Sequence, residues 1–275
     1  MDSEFAPAKL NLALHVRARR SDGYHKLETL FAFVDIGDVV HARASDRLSL
    51  AVTGPSANDL DTQHNLVLDA ARMLAAEVGR APDFALTLDK RLPVASGIGG
   101  GSADAAATLR LLARAWGIDD EAPLLACATR LGADVPACVR SHAAIGRGRG
   151  EVLAPRDLGT LAGAPVILAN PGVAVSTADV FARWDGVDRG PLPQGDPRTI
   201  LDQGRNDLQA AAVAIAPQIA ALLAAMASAG AQVARMSGSG ATCFSLHTTE
   251  AERDAALADL RARWPGYWIE PAALR

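Results

Sequence analysis

The chain has 275 residues, 49% of them hydrophobic and 21% charged, which is enough to bury a core in one large domain or two without disulfide or metal staples and excludes an intrinsically disordered chain. Lys+Arg total 27 against 31 Asp+Glu, so no global basic field exists to hold nucleic acid or an anionic membrane. Aromatic residues at 4% leave little for a base-stacking platform, so the 24 glycines are the main clue.

In chain order, Leu10, Leu12, Leu14 and Val16 alternate along Lys9 to Val16, the period of a strand. Ser21-Asp22-Gly23 follows as a hairpin signal, because glycine accepts the positive φ of such a turn. Tyr24 to Val34 is an apolar run compatible with a strand or a short helix, and further strands are expected near Val39 to Ala44 and Leu48 to Val52. Asn65 to Val78 has helical spacing and ends before Gly79. Phe84 to Leu88 reads as a strand, and a glycine-rich loop then opens into a helix expected from Ser102 to about Trp116. Pro123 to Leu131 is the next helix, and the Gly- and Pro-rich stretch from Pro155 to Pro165 suggests a boundary between domains 1–155 and 156–275. Beyond it come a strand at Pro165 to Ala169, the Asn170-Pro171-Gly172 turn and a helix from Ser176 to Trp184. Asp185 to Gln203 reads as a surface loop, and Asn206 to Gly230 as helix interrupted at Pro217. Strands at Gln232 to Met236 and Thr242 to Leu246 flank a Ser-Gly-Ser-Gly turn, and a helix and strand close the chain. The mixture lacks a strict βαβ rhythm, so the expected class is α+β.

Cys127, Cys138 and Cys243 form no CxxC pair, which suits buried thiols in a reducing compartment, the cytoplasm. The opening MDSEFAPAKL has neither the basic nor the apolar region of a secretory signal, and the apolar Leu208 to Ala231 stretch suits a buried helix pair better than a membrane span.

Chemistry concentrates in Pro93-Val94-Ala95-Ser96-Gly97-Ile98-Gly99-Gly100-Gly101-Ser102-Ala103. Glycines without Cβ let backbone N–H groups approach a ligand, and the helix dipole that follows favours an anion, phosphate above all. Ser102 is the natural N-cap or N-terminal hydroxyl. The loop is neither GxxxxGK[ST] nor GxGxxG, and a plain turn is the alternative reading. No GxSxG elbow surrounds Ser102 or Ser239, which excludes a serine hydrolase of that type. The six histidines form no HxH or HxxxH pair, so no metal site is expected.

The blocks APAKLNLALHV, SDGYHKLETLF, LPVASGIGGGSADAAATL, LGADVPACV and MSGSGATCFSL, running from Pro7 to Phe244, together resemble the GHMP kinase superfamily, and Asp22-Gly23-Tyr24-His25 resembles the branch whose substrate carries cytidine. The resemblance implies a two-domain fold, with an N-terminal ribosomal S5 domain 2-like part, a C-terminal ferredoxin-like part and an active site in the cleft between them. It implies ATP-dependent phosphorylation, with Mg²⁺, of the 2-hydroxyl of methylerythritol linked to CDP, a step of the non-mevalonate isoprenoid route. Homoserine, mevalonate or sugar kinases and a non-catalytic nucleotide-binding regulator are the alternatives. It implies Lys9 and Asp134 as catalytic residues and Pro93 to Ala103 with Asn65 on the nucleotide. Asn11, Tyr24, His25, Thr177, Phe181, Ser239 and Gly240 fall on the second substrate, with Tyr24 and Phe181 stacking on the base and His25 reading its edge. Read locally, Asp134 is equally a helix cap and His25 an ordinary surface histidine. Ala103-Asp104 stands where some members have Ser-Asn, and Ser102 with Asp104 is a candidate pair to help hold Mg²⁺. Arg147 and Arg149 lie in what reads as a solvated glycine hairpin, and Arg17, Arg19 and Arg20 as an exposed face. No nucleic-acid or membrane partner is expected, and the chain is expected to be a monomer or weak homodimer.

Overall fold

The structure is a computed structural model and describes residues 2–62 and 64–275. The chain opens with two long strands, β1 (Asp2–Arg19) and β2 (His25–Ala44), joined at the predicted hairpin. Gly23 takes φ +85° there, and the Arg20 N–H donates to the Tyr24 carbonyl at 2.7 Å. The run from Tyr24 is thus strand, and the separate strand expected at Val39 to Ala44 is its continuation. Next come β3 (Ser49–Thr53), α1 (Leu66–Glu77), β4 (Phe84–Asp89), α2 (Gly100–Trp116), α3 (Ala122–Leu131) and α4 (Val135–Arg140). The remainder is β5 (Ala144–Gly148), β6 (Val152–Pro155), β7 (Pro165–Asn170), α5 (Thr177–Ala182), α6 (Pro197–Gln203), α7 (Gln209–Ile215), α8 (Gln218–Ser228), β8 (Val233–Met236), β9 (Cys243–Leu246), α9 (Glu250–Arg263) and β10 (Trp268–Ala273).

These elements pack as two compact units that interleave along the chain. One takes the residues up to Lys9, Gly37–Val94 and Gly99–Ser141, and the other takes Leu10–Ile36, Ala95–Ile98 and His142–Arg275.

In the first unit β4 pairs in parallel with β3 and antiparallel with the last part of β2, Val39 to Ala44 opposite Asp89 to Phe84. The helices α1 to α4 pack on one another. Asn65 starts α1 by accepting from the Val67 N–H at 3.0 Å, and Val67, Ala70, Ala71 and Leu74 form its buried face. Along α2 half of the buried residues are alanine, which lets neighbouring helices approach closely, with Leu109, Leu111 and Leu112 filling the space.

In the second unit a four-stranded antiparallel sheet has the order β10-β7-β9-β8. Helices α5 to α8 follow its first strand and α9 its third, which is the βαββαβ ferredoxin-like arrangement. Its core joins Ile167, Ala169, Leu222, Met226 and Leu260 with Leu14, Val16 and Leu27 from the two opening strands. The glycine hairpin is real: β5 pairs with β6 and with the start of β2. Asp185 to Gln203 is not loop throughout, because α6 forms at its end. Asp196 caps α6, accepting from the Thr199 N–H at 2.8 Å, and Pro197 stands in the first turn, an Asp-Pro start signal the composition reading passed over. The apolar stretch near Pro217 divides into α7 and α8, and among the described residues no helix is long and apolar enough to cross a membrane. The three cysteine thiols are buried and unbridged.

Candidate active site

In the first unit α2 begins at Gly100, two residues before the expected start, with Gly99 as N-cap at φ +66°. Ser102 therefore lies inside the first turn and is not the cap. No side chain caps the helix, so its leading N–H groups, which no intrahelical carbonyl can reach, are left to an anion. Lys9 lies against this end: a Cβ on Gly99 would stand 3.1 Å from its Cε. The Lys9 Nζ is 3.0 Å from the Asp134 Oδ2, with the lysine side chain 2% and the aspartate 36% exposed. Asp134 occupies the N-cap position of α4 but makes no capping hydrogen bond, so the ion pair replaces the capping alternative. A buried cation thus holds a carboxylate that solvent and ligands can reach. Cys138 lies nearby, and burial, reinforced by Asp134, pushes its thiol up to about 12, far from any nucleophilic role.

A second buried lysine escaped the sequence reading. Lys90 donates to Asp38 at 2.6 Å and to Asp104 at 2.7 Å, all three side chains being almost fully buried. The other Asp38 oxygen accepts from the Arg91 and Leu92 N–H groups at 2.6 and 2.8 Å. Among the described residues Asp104 Oδ1 has no hydrogen-bond partner. One ammonium faces two carboxylates, and Asp104 is the less well served. Burial, with Asp38 beside it, raises its pKa to about 8 against the pull of Lys90. Asp104, the candidate beside Ser102 for Mg²⁺, thus gives one carboxylate oxygen to Lys90. Among the described residues no group of three or more His, Cys, Asp or Glu could hold a metal ion.

A stability measurement follows from this. A carboxyl that keeps its proton in the folded state and loses it in the unfolded state makes stability fall as pH rises between the two pKa values. Asp104 faces Asp38 from β2, Lys90 beyond β4 and Cys138 from α4. Urea unfolding of the chain is expected to show declining stability from about pH 5 to about pH 8, and Asp104→Asn a shallower decline; parallel curves would reject the assignment.

In the second unit two glycine motifs meet backbone to backbone. Ser237 Oγ donates to the Gly97 carbonyl at 3.2 Å, and the Thr242 N–H donates to the Ser96 carbonyl at 3.0 Å. Asn206, not singled out from the sequence, donates from Nδ2 to the Met236 and Gly238 carbonyls, both at 2.8 Å, and so holds the turn. The Asn11 N–H donates to Ser237 Oγ at 3.1 Å, while Asn11 Nδ2 donates to Thr29 Oγ1 at 2.8 Å. Thr177 and Ser239 share a hydrogen bond of 2.8 Å, with Gly240 next along the turn. His25 is not a surface residue: only 6% exposed, its ring lies 4.8 Å from Phe181 and edge-on to Trp184 at 5.6 Å. Burial and the charge of Arg19 lower its pKa. Among the described residues His25 Nε2 and Trp184 Nε1 are buried without hydrogen-bond partners. Tyr24 lies apart from this cluster, exposed, with the Arg149 guanidinium 4.9 Å above its ring. Arg149 is tied back by its N–H to Glu151 at 2.6 Å, and Arg17 pairs with Glu28 and Asp188, so neither is merely solvated. Asn65 is accounted for by its cap.

An uncapped glycine-led helix beside a lysine–aspartate pair, with a ferredoxin-like second unit, is the architecture of a phosphate-handling enzyme class. Family models described as GHMP kinases N terminal domain and GHMP kinases C terminal match residues 65–142 and 192–266. The chain belongs to the GHMP kinases. It is 53% identical to the 4-diphosphocytidyl-2-C-methyl-D-erythritol kinase of Rhizorhabdus wittichii, the alignment covering 99% of this chain and 94% of the relative. It is 50% identical to the protein of that name from Novosphingobium aromaticivorans, covering 99% and 92%. A crystal structure of 4-(cytidine 5′-diphospho)-2C-methyl-D-erythritol kinase superposes with a TM-score of 0.81 at 31% identity over 99% of each chain. Homoserine kinase from Cytophaga hutchinsonii shares the fold at a TM-score of 0.76 and 18% identity, covering 100% of this chain and 95% of its own.

Proposed function

We propose that the chain is an ATP-dependent kinase that phosphorylates the 2-hydroxyl of 4-(cytidine 5′-diphospho)-2-C-methyl-D-erythritol. The observation that carries the chemistry is the Lys9–Asp134 pair lying against the uncapped start of α2. Phosphoryl transfer needs positioning, charge neutralisation and somewhere for the hydroxyl proton to go. Asp134, accessible and fixed by one ion pair, takes that proton or orients the hydroxyl. Lys9 holds the carboxylate in place and offsets negative charge on the transferring group. The leading N–H groups of α2, within the Pro93 to Ala103 segment, bind nucleotide phosphate. Mg²⁺ brought with the nucleotide would neutralise charge on its phosphates. The presence of both Lys9 and Asp134 argues against a non-catalytic regulator.

Substrate recognition is assigned to Asn11, His25, Thr177, Phe181, Ser239 and Gly240. The two orphaned ring nitrogens of His25 and Trp184 support a polar planar ligand at the aromatic cluster, as a cytosine edge is. Tyr24, exposed and with Arg149 over one face of its ring, contributes through the other face. The border at residue 155 remains our proposed division of the family domains, which match on either side of it. The cytoplasm is the compartment we assign, a reducing one in which the three unbridged thiols are stable.

A coupled ADP-release assay tests the substrate, offering the CDP-methylerythritol compound beside homoserine, mevalonate and galactose. Turnover with the first alone is expected, and His25→Ala is expected to raise its KM about tenfold or more. Turnover with another alcohol and none with the cytidine compound would reject the assignment.

A further inference from the structure

We infer that Lys90 and Asp104 are positioning residues for the nucleotide phosphates: a buried ammonium, gripped by Asp38 and Asp104, fixes the first turn of α2 so that its N–H groups stand ready for an anion. The inference rests on the ATP-dependent kinase reading. Three separate elements of the first unit converge on one nitrogen. Asp38 belongs to β2, Lys90 follows β4, and Asp104 is the fifth residue of α2. Asp38 also accepts from two backbone N–H groups of the segment after β4, so that segment and the helix share a common anchor.

The nitrogen lies hard against the helix start. A Cβ on Gly100 would stand 3.0 Å from Lys90 Nζ and 3.8 Å from Asp38 Oδ2. Gly100 has no positive φ, so no turn demands a glycine there, but a Cβ would press on the ammonium beneath it. Buried ion pairs add little net stability over apolar residues of similar volume, and their best attested use is to fix register. Here the register fixed is that of the glycine-led helix, whose leading N–H groups no side chain caps. Asp104 has a single tether, because its second oxygen meets no donor among the described residues.

The test compares Asp104→Ala with Asp104→Asn in the full chain, by calorimetric binding of a non-hydrolysable ATP analogue and by steady-state kinetics. Asparagine keeps an oxygen for Lys90 and alanine does not. Asp104→Ala is expected to weaken analogue binding about tenfold and raise KM for ATP similarly, with kcat at saturating ATP within about threefold of the unaltered chain. Asp104→Asn is expected to restore binding to within about threefold. Thermal melts identify which variants are folded. Lys90→Met, which strands two carboxylates, is secondary because it risks the fold. Unchanged binding in Asp104→Ala, or binding in Asp104→Asn as weak as in Asp104→Ala, would overturn the inference. No analogue binding by the unaltered chain would overturn the kinase reading and the inference with it.

Discussion

Asp134→Asn is expected to lower kcat by about a thousandfold while the protein folds as before, the range by which a positioned acid or base accelerates proton transfer. The amide still accepts a hydrogen bond from Lys9 at the 3.0 Å separation, so Lys9 keeps a partner. What disappears is the negative charge that accepts a proton. Because Asp134 makes no capping bond to α4, its removal costs the helix nothing on that account. Turnover measured by ADP release, beside a thermal melt, decides the matter. Turnover within a few-fold of the unaltered chain would remove Asp134 from the reaction and leave Lys9 as an electrostatic residue only.

Gly97→Ala is expected to destabilise the protein by about 3 kcal/mol, the sum of backbone strain and overpacking. Gly97 has φ +78°, and a Cβ there would lie 2.6 Å from both the Ser237 and Gly240 carbonyl oxygens. Both are backbone atoms of a turn pinned by Asn206, so neither can swing aside. Gly79 is the control, with φ +64° and nothing within 4 Å of a built Cβ. Gly79→Ala meets only the conformational part, about 1 kcal/mol. Urea unfolding of the two variants separates the effects; equal losses would mean that the contact between the motifs contributes nothing.

Local periodicity and turn chemistry carried most of the fold. The alternating leucines, the Asp-Gly hairpin, the Asn65 cap and the Pro217 break are short-range signals, and each appears where the chain implies. Misreadings came where tertiary packing decides. Nothing local says that β2 continues through Gly37, and nothing local says that α2 starts on glycines, which resist helix until an anchor holds them. The site was legible wherever a motif is contiguous. His25 looked ordinary because its neighbours Phe181 and Trp184 are distant in sequence. The cluster of Lys90, Asp38 and Asp104 was invisible for the same reason: its members lie far apart in sequence, and Asp104 drew notice only as a companion of Ser102. A signal did exist, since Lys90 directly follows a strand and Asp104 sits among the alanines of a helix, where an isolated buried charge demands a partner.

The interleaving of the two units bears on how the gene can be divided. Cutting between residues 155 and 156 would yield a C-terminal fragment without Leu14, Val16 and Leu27, three members of its core. It would also strand Leu10–Ile36 and the β5–β6 hairpin on the other piece, away from the unit they belong to. The C-terminal polypeptide could not close its hydrophobic interior alone, and the N-terminal one would carry segments with nothing to pack against. Split reporters, modular swaps between relatives and separate expression of halves therefore require exchanging the discontinuous set of segments together, and the protein is inherited, in practice, as one indivisible cassette.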